Sequence, residues 1–280
     1  MDKEVVLITG ASSGIGKITA EKLLKAGYIV YGVARSTDSL KYLAEYNHGH
    51  YKYLDLSETE SIEKCVSEII ESENKIDILI NNAGYGAFGA VEDFDISEAR
   101  AEFEVNLFAA AKLIKEVLPV MRANKKGKII NISSVAGKVW FPFAAWYNAS
   151  KFALEGLSDV LRNEVKEFGI DVVIIQPAAV KSNWVNGATE SLLENSAESV
   201  YADNAKKTAK AFKNIYASNY LVIEAEVIAN LILKAVKAKK AKARYRAPFY
   251  AKLLLFFRSR LPDRIFDYLT NKIMNFFANK

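Results

Sequence analysis

The chain has 280 residues, of which 51% are hydrophobic and 25% charged, and its formal net charge is +5. This size and balance predict one compact globular domain, residues 1–280, with a sizeable core. The single cysteine, Cys65, excludes an internal disulfide, and no apolar run approaches the roughly 18 to 20 residues that a membrane span requires. The N-terminal residues carry no signal-peptide pattern, so we expect a cytoplasmic protein.

Short β-branched runs alternate with longer amphipathic stretches along the chain. Six of these runs predict strands: Val5–Ile8, Ile29–Val33, Tyr51–Leu54, Ile78–Ile80, Lys128–Ile132 and Val172–Gln176. Apolar runs without strict alternation suit parallel strands that are covered on both faces and joined by right-handed helical crossovers. The predicted fold class is therefore α/β, a doubly wound parallel sheet of about seven strands flanked by helices.

Apolar positions at helical spacing predict helices between these strands. One helix contains Ile62–Ile70 and so holds Cys65, which we interpret as a core or surface thiol because no His or Cys partner lies in a motif nearby. A second helix is expected to end before Pro119. A longer one is expected from Trp146 to Phe168.

The first predicted strand leads into a glycine-rich turn before a helix. Its residues are Thr9, Gly10, Ala11, Ser12, Ser13, Gly14, Ile15 and Gly16, with the spacing Gly-x-x-x-Gly-x-Gly. Glycines permit positive φ and close backbone approach, and a helix N-terminus offers unpaired N–H groups to a pyrophosphate. We therefore expect a dinucleotide to contact Gly10, Ser12, Ser13, Gly14, Ile15 and Gly16.

This spacing resembles that of the short-chain dehydrogenase/reductase family. Further landmarks of the family follow in order: Asp55-Leu56, Asn81-Asn82-Ala83-Gly84, Asn106, Ser134 and Tyr147-Asn148-Ala149-Ser150-Lys151. The resemblance implies a Rossmann-like fold and a nicotinamide-dependent oxidoreductase. It also implies that Asp55 holds the adenine amino group and that Leu56 packs beside the base. Asn82, Ala83 and Gly84 would border the ribose.

The end of the second predicted strand indicates which dinucleotide binds. NAD-specific folds place an acid there for the ribose diol, whereas this chain has Arg35. A guanidinium suits a 2′-phosphate because it can donate two hydrogen bonds. We therefore expect NADP(H) rather than NAD(H). Asp38, three residues later, is an acid that could bind a ribose diol, so NAD(H) stays as the alternative.

A tyrosine and a lysine, Tyr147 and Lys151, are four residues apart in a predicted helix and so share a face. Near neutral pH a tyrosine acts as an acid or base only when its anion is stabilised, and a neighbouring ammonium does this. Ser134 follows a strand at the carboxyl edge of the sheet. Ser133 competes with it, and the family spacing to the tyrosine favours Ser134. By resemblance, Lys151 also binds the nicotinamide ribose, Ser134 holds the substrate oxygen and Asn106 supports a water in a proton relay.

A later landmark departs from the family pattern. Where the family commonly has Pro-Gly-x-Val-x-Thr, the chain has Pro177-Ala178-Ala179-Val180-Lys181-Ser182. The resemblance implies that Pro177 borders the nicotinamide and that Val180 and Ser182 meet its carboxamide. Ala178 in place of glycine leaves the backbone angle there open.

The residues after this landmark predict an inserted helical substrate lid over 183–226. Aromatic residues flank the expected site, and they are Tyr85, Phe88, Trp140, Phe141, Phe143, Trp146 and Trp184. They suggest a lipophilic substrate, although several are explained equally well as core or subunit contacts. The ending Leu261–Asp267 resembles the hydroxysteroid, retinol and acyl-dihydroxyacetone-phosphate reductase branch of the family.

The C-terminal part is strongly basic. From Lys234 onward it holds 13 Lys or Arg against only Asp263 and Asp267. Such a segment suits phosphates, anionic lipid or nucleic acid, and solvated helix faces are the more ordinary interpretation. A helical extension at 248–280 carries an apolar stripe at helical spacing, made of Ile265, Leu269, Ile273, Phe276 and Phe277. The stripe suits a membrane surface, but packing against the domain or a partner subunit is favoured.

Together these patterns predict an NADP(H)-dependent enzyme that transfers a hydride between the nicotinamide and a carbonyl or alcohol of a small lipophilic molecule, without a metal. The alternative is a non-catalytic NADP(H)-binding redox sensor or scaffold on the same fold. Such proteins typically lose the tyrosine or the lysine, and this chain keeps both. Nucleic-acid binding is not indicated, because the basic segment lacks an interleaved aromatic platform. The family resemblance also implies a homo-oligomer, either a dimer or a tetramer.

Overall fold

The computed structural model describes residues 3–280. Seven strands form one parallel sheet: β1 (Val5–Thr9), β2 (Ile29–Ala34), β3 (Gly49–Tyr53), β4 (Ile78–Asn81), β5 (Gly127–Ile132), β6 (Ile170–Pro177) and β7 (Arg244–Ala247). Their order is β3-β2-β1-β4-β5-β6-β7. The direction of winding changes between β1 and β4, and ligands of such sheets bind outside the carboxyl ends of the strands at that point. The predicted doubly wound, Rossmann-like fold is confirmed.

Ten α-helices flank the sheet or cover its carboxyl edge within the described residues. They are α1 (Gly14–Lys25), α2 (Thr59–Glu73), α3 (Ile96–Phe103), α4 (Ala109–Ala123), α5 (Ala145–Glu164), α6 (Trp184–Asn195), α7 (Ala202–Tyr216), α8 (Ala225–Lys237), α9 (Phe249–Arg258) and α10 (Asp263–Ala278).

Both faces of the sheet are buried at its central strands, whereas the edge strand β3 is partly exposed. Successive side chains of a strand point to opposite faces, so Val6 and Ile8 of β1 pack with α1 and α8, while Val5 and Leu7 pack with α2, α4 and α5. All four side chains are fully buried. This two-sided burial explains the continuous apolar runs in the sequence.

Helix α4 corrects one sequence expectation. It was expected to end before Pro119, but it continues through that proline to Ala123. Pro119 has no N–H to donate to the carbonyl of Lys115. Both residues lie on the exposed side of the helix, where that carbonyl is open to water. Buried Val117 and Met121 hold the helix to the core on either side of the proline.

The basic segment also differs from its expected form. Arg244 and Arg246 belong to the short edge strand β7, which pairs with β6, and not to a solvated helix face. Arg244 donates to Glu155 Oε2 from Nε and Nη2, at 3.1 and 2.9 Å. Glu155 is fully buried, so part of the basic segment belongs to an internal ion pair.

The helices after Pro177 cover the carboxyl edge of the sheet. Helices α6 and α7 occupy most of the expected lid, and α9 and α10 form the expected C-terminal extension. An apolar cluster joins α6, α7 and α10 to Tyr147. Among residues 3–280 no helix is both long and apolar enough to span a bilayer.

The predicted apolar stripe of α10 faces outward. The side chains that α10 buries against the domain are Phe266, Met274 and Ala278. Four stripe residues on the other side are 40 to 57% exposed: Ile265, Leu269, Ile273 and Phe276. Of the expected packing against the domain or a partner subunit, packing against the domain holds for Phe277, which joins the apolar cluster, and is wrong for the four exposed residues. Packing against a partner subunit stays a prediction.

Candidate active site

The glycine-rich turn between β1 and α1 has the conformation that the sequence predicted. Gly10 and Gly14 have positive φ angles of 65° and 52°. A Cβ on Gly16 would collide with the Gly10 carbonyl, whereas Gly14 borders open space. The first turn of α1 carries no acidic residue, and the Ser13 side chain makes no capping bond. The N–H groups of α1 are therefore free for a pyrophosphate, and the turn fits a dinucleotide.

A hydroxyl at the end of β1 links this turn to the end of β4. Thr9 Oγ1 accepts hydrogen bonds from the backbone N–H groups of Asn82 and Ala83, both at 3.0 Å. Asn82 Nδ2 in turn donates to Thr9 O at 2.9 Å. These bonds place Asn82 and Gly84 at the switch point, where both border a cleft.

Arg35 and Asp55 lie at the far end of the same edge. Arg35 is exposed after β2, and its charge contributes to lowering the pKa of the Asp55 carboxyl. The larger causes of that shift are hydrogen bonds from the Ser57 side chain and backbone, at 2.7 and 2.9 Å. Asp38 pairs with Lys41 at 2.7 Å on the surface, so its carboxylate already has a partner.

Tyr147 and Lys151 lie one helical turn apart near the start of α5, and both are buried. Lys151 Nζ lies 5.9 Å from the centroid of the Tyr147 ring and donates to Ile132 O at 3.1 Å. The Ser134 hydroxyl donates to Pro177 O at 3.4 Å and accepts from Ala136 N at 3.1 Å, and it is near enough to Tyr147 to lower the pKa of the phenol. Ser133 is 4% exposed, and its hydroxyl lies 3.5 Å from Ser134 O. The structure thus brings Ser134, the serine that the spacing favoured, to the phenol.

Burial dominates the titration of this pair. It raises the pKa of Tyr147 to about 12, and the nearby Ser134 hydroxyl opposes that shift. Burial also lowers the pKa of Lys151 to about 8, against the opposing charge of Glu102. The sequence led us to expect a phenol made acidic by the ammonium. In the structure burial is instead the largest cause for both groups, because desolvation penalises the phenolate and the ammonium alike.

Asn106 lies behind the pair in a π-helical turn, Glu104–Phe108, between α3 and α4. Its Nδ2 donates to Tyr85 O at 2.8 Å and to Ser150 Oγ at 3.1 Å, and its Oδ1 accepts from Tyr85 N at 3.1 Å. A Cβ on Gly84 would lie 2.8 Å from Asn106 Oδ1 and 3.4 Å from Lys151 Nζ. The predicted Asn106 is therefore next to Lys151 and joined to the loop after β4.

Glu102, which sequence reasoning missed, is a fully buried carboxyl beside Asn106. Asn106 Nδ2 lies 3.3 Å from its Oε1, and Ala87 N lies 3.5 Å from its Oε2. Burial raises the pKa of Glu102 to about 8, while Lys151 and the Ala87 N–H oppose the shift. The available signal was its place one helical turn before Asn106.

A cleft of about 630 Å³ opens at the carboxyl edge of the sheet. The predicted site residues in its wall are Ile15, Asn82, Gly84, Ser134, Tyr147, Lys151, Pro177, Val180 and Ser182. The others lie outside this wall: Gly10, Ser12, Ser13, Gly14, Gly16, Arg35, Asp55, Leu56, Ala83 and Asn106. Ala178 has no positive φ, so the replacement of glycine leaves an ordinary backbone there.

The remaining walls of the cleft are apolar. Of the predicted aromatic residues, Phe88, Trp140, Phe141 and Trp184 line it, whereas Tyr85, Phe143 and Trp146 do not. Sequence reasoning missed Phe212, Tyr216, Tyr250, Phe266 and Phe277, which helices α7, α9 and α10 bring into the wall. These positions are far apart in the sequence and meet only in the folded chain.

A family model decides the identification. Residues 4–193 match the model described as short chain dehydrogenase. The chain belongs to this family. It is therefore an oxidoreductase of the short-chain dehydrogenase/reductase type, as the sequence landmarks indicated.

Several members are similar to this chain over most of its length. A 3-ketodihydrosphingosine reductase of Bacteroides thetaiotaomicron is 36% identical to this chain, and the match covers 96% of this chain and 97% of that reductase. An NADPH-dependent 3-dehydrocapnine reductase of Ornithobacterium rhinotracheale is 33% identical, with coverage of 93% and 94%.

Solved structures agree with this placement. A short-chain dehydrogenase from Streptomyces avermitilis has a TM-score of 0.78 and 28% identity, and the match covers 97% of this chain and 96% of that one. A metagenomic short-chain oxidoreductase solved with NADP has a TM-score of 0.67 and 27% identity, with coverage of 88% and 98%.

Proposed function

We propose that this chain is an NADP(H)-dependent enzyme that reduces a carbonyl group of a lipophilic substrate, or oxidises the corresponding alcohol. The observation that carries the proposal is the position of Tyr147. Its phenol lies in the cleft wall beside Lys151, and Ser134 lines the same cleft at the carboxyl edge of the sheet. The bound dinucleotide would supply or accept the hydride.

The protein's own groups handle the oxygen and its proton. Ser134 holds the substrate oxygen by a hydrogen bond, and the Tyr147 hydroxyl gives its proton to that oxygen as negative charge develops there. A Tyr147 pKa of about 12 keeps the phenol protonated at neutral pH, which is the form that reduction requires. The reverse reaction requires the phenolate, so its rate should rise with pH.

Lys151 and Asn106 position this machinery. In this proposal the Lys151 ammonium would bind the nicotinamide ribose and stabilise negative charge on the phenol, and its place in the same cleft wall as Tyr147 supports that role. Asn106 joins the loop after β4 to α5 through Tyr85 and Ser150, and so holds a polar path behind Lys151. That path is where a proton relay would run.

The preference for NADP(H) rests on Arg35. Its guanidinium is exposed at the end of β2, where the 2′-substituent of the adenosine ribose would lie. Asp38, the rival feature, is paired with Lys41. Two relatives are in keeping with this preference, since one is named as NADPH-dependent and another was solved with NADP.

The substrate class rests on the walls of the cleft. Beyond Tyr147 they are formed by aromatic and aliphatic side chains of α6, α7, α9 and α10. Such walls bury an apolar body while the few polar groups at one end orient a single carbonyl. The names of two relatives, which describe reduction of a 3-keto and a 3-dehydro compound, are in keeping with a ketone.

A direct assay tests the proposal. The purified chain should oxidise NADPH in the presence of lipophilic ketones, and a screen should compare ketosteroids, retinoids, aliphatic ketones and acyl-dihydroxyacetone phosphates. Tight NADPH binding without turnover of any carbonyl would support the sensor alternative and contradict the proposal.

A further inference from the structure

The two C-terminal helices expose a broad apolar surface, which we call the C-terminal outer face. It consists of Phe249, Leu253, Phe256 and Phe257 on α9 and Ile265, Tyr268, Leu269, Ile273 and Phe276 on α10. Each of these side chains is between 40 and 70% exposed. Contiguous apolar patches of this kind mark interaction sites on proteins.

This face is not needed to attach the helices to the domain. Helix α9 is held by buried Ala251 and Leu255, and α10 by buried Phe266 and Met274. Both helices are therefore apolar on two sides, one against the domain and one toward the outside. The outward side needs a second partner to remove it from water.

Cations are interleaved with the exposed rings. Lys252 lies over Phe249 with its Nζ 6.0 Å from the ring centroid, and Lys280 lies 4.8 Å from the centroid of Phe276. The Arg260 guanidinium lies 5.4 Å from the ring of Phe256.

The two acids of these helices are already engaged. Asp263 pairs with Arg258 at 2.8 Å, and Asp267 accepts a hydrogen bond from Trp140 Nε1 at 3.0 Å. A second, basic cleft of about 750 Å³ lies beside Phe256, and its cationic lining residues are Lys138, Arg244, Arg246, Lys252 and Arg258. Asp159 also lines this cleft and pairs with Arg244, so the net positive charge of the outer face and its border comes from the other cations, among them Arg246, Lys252, Arg260 and Lys280.

We propose that the C-terminal outer face docks on a bilayer that contains anionic phospholipid. Aromatic rings lie at the headgroup level of a bilayer while Lys and Arg contact phosphates, which is the combination found here. A second copy of the chain fits less well, because a two-fold contact would set this positive face against itself.

The outer face is continuous with the active-site cleft. Ile273 is 53% exposed and also lines the cleft, together with Leu254 and Phe277 from the same two helices. A lipophilic substrate would thus pass from the bilayer between α9 and α10 toward Tyr147. This last step rests on the proposed function, whereas bilayer docking does not.

Co-sedimentation of the full chain with vesicles tests the docking surface. The chain should sediment with vesicles of phosphatidylcholine and phosphatidylglycerol, and added salt should weaken the binding. Phe256→Ser combined with Phe257→Ser should reduce the affinity about tenfold or more, because two exposed rings no longer insert. Lys272 is exposed on α10, one helical turn before Phe276. Arg260→Glu combined with Lys272→Glu should abolish the preference for phosphatidylglycerol.

Tyr53→Thr provides a matched control. Tyr53 is 53% exposed on β3, at the opposite edge of the sheet from β7, and Phe256 is 54% exposed. The control should bind vesicles like the unaltered chain, and circular dichroism should show that every variant is folded. No sedimentation with anionic vesicles, or equal loss in the control, would overturn the proposal. A change of oligomeric state in the Phe256/Phe257 variant without vesicle binding would overturn it in favour of a contact between copies. Reductase activity on a water-soluble ketone, measured in parallel, tests the proposed function separately.

Discussion

The indole ring of Trp184, at the start of α6, lies 5.1 Å from the phenol ring of Tyr147, measured between centroids. The ring of Phe88 lies 5.7 Å from the first and 6.1 Å from the second. The side chain that we propose as the proton donor therefore has an apolar wall supplied by a helix from the predicted lid. That wall should act on substrate binding more than on proton transfer.

Trp184→Ala should raise the KM for a lipophilic ketone roughly tenfold or more, with a smaller change in kcat, because it removes apolar area from the cleft wall. Trp184→Phe should recover most of the loss. Steady-state kinetics with one long-chain and one short ketone measures both constants. A fall in kcat alone, equal for the two ketones, would contradict a binding role.

Arg35→Ala should raise the KM for NADPH about tenfold or more and leave that for NADH nearly unchanged, because the guanidinium would meet only the 2′-phosphate. Lys25→Ala is the control, since Lys25 is an exposed cation in the last turn of α1, at the other edge of the sheet from the expected cofactor site. Equal changes for NADPH and NADH in the Arg35 variant would refute the assignment.

Glu102→Gln should change how stability depends on pH. Burial raises the pKa of Glu102 from its ordinary value of 4.5 to about 8, so the folded chain keeps a proton that the unfolded chain releases. The stabilisation from this group is present below pH 4.5 and is lost as the pH rises toward 8. Relative to the variant, the unaltered chain should lose up to about 1.4 kcal/mol of unfolding free energy per pH unit in that range.

Urea denaturation at a series of pH values measures this difference. Glu98→Gln serves as the control, because Glu98 is exposed on the same helix, α3. Parallel curves for the unaltered chain and the Glu102 variant would show that Glu102 is ionised in the folded protein, contrary to this account.

Arg244→Leu should lower the unfolding free energy by about 3 kcal/mol, because it leaves the fully buried Glu155 with only the more distant and more exposed Lys138, at 3.6 Å, as a cation. Adding Glu155→Leu should restore much of the loss. Arg162→Ala, which breaks a partly exposed pair with Asp159, should cost less than about 1 kcal/mol. Chemical denaturation checks the series, and a loss in the Arg162 variant as large as that for Arg244 would be inconsistent with the burial argument.

The parts that the sequence could predict are those in which local spacing determines position. Tyr147 and Lys151 had to share a helix face, and the glycines after β1 had to form a turn at a helix start. The family landmarks then placed Ser134 and Asn106, and the structure brings both to the same edge of the sheet.

The parts that could not be predicted depend on contacts distant in the chain. The strand β7 is four residues long and carries two arginines, so its sequence alone is typical of a basic loop. It is recognisable as a strand only in the folded chain, where it pairs with β6 and Arg244 meets Glu155. No motif in the sequence distinguishes Glu102 from the exposed acids around it, and only the fold shows that it is buried. Likewise, the balance between burial and charge at Tyr147 depends on side chains from several elements.

The central claim is that the Tyr147 hydroxyl transfers the proton in a hydride-transfer reaction. Tyr147→Phe, measured by NADPH oxidation with the best ketone found in the screen, tests it most directly. We expect a loss of about 10²-fold to 10⁴-fold in kcat, with NADPH affinity unchanged in a fluorescence titration. A variant that keeps a substantial fraction of the activity, with the same NADPH affinity, would contradict the account.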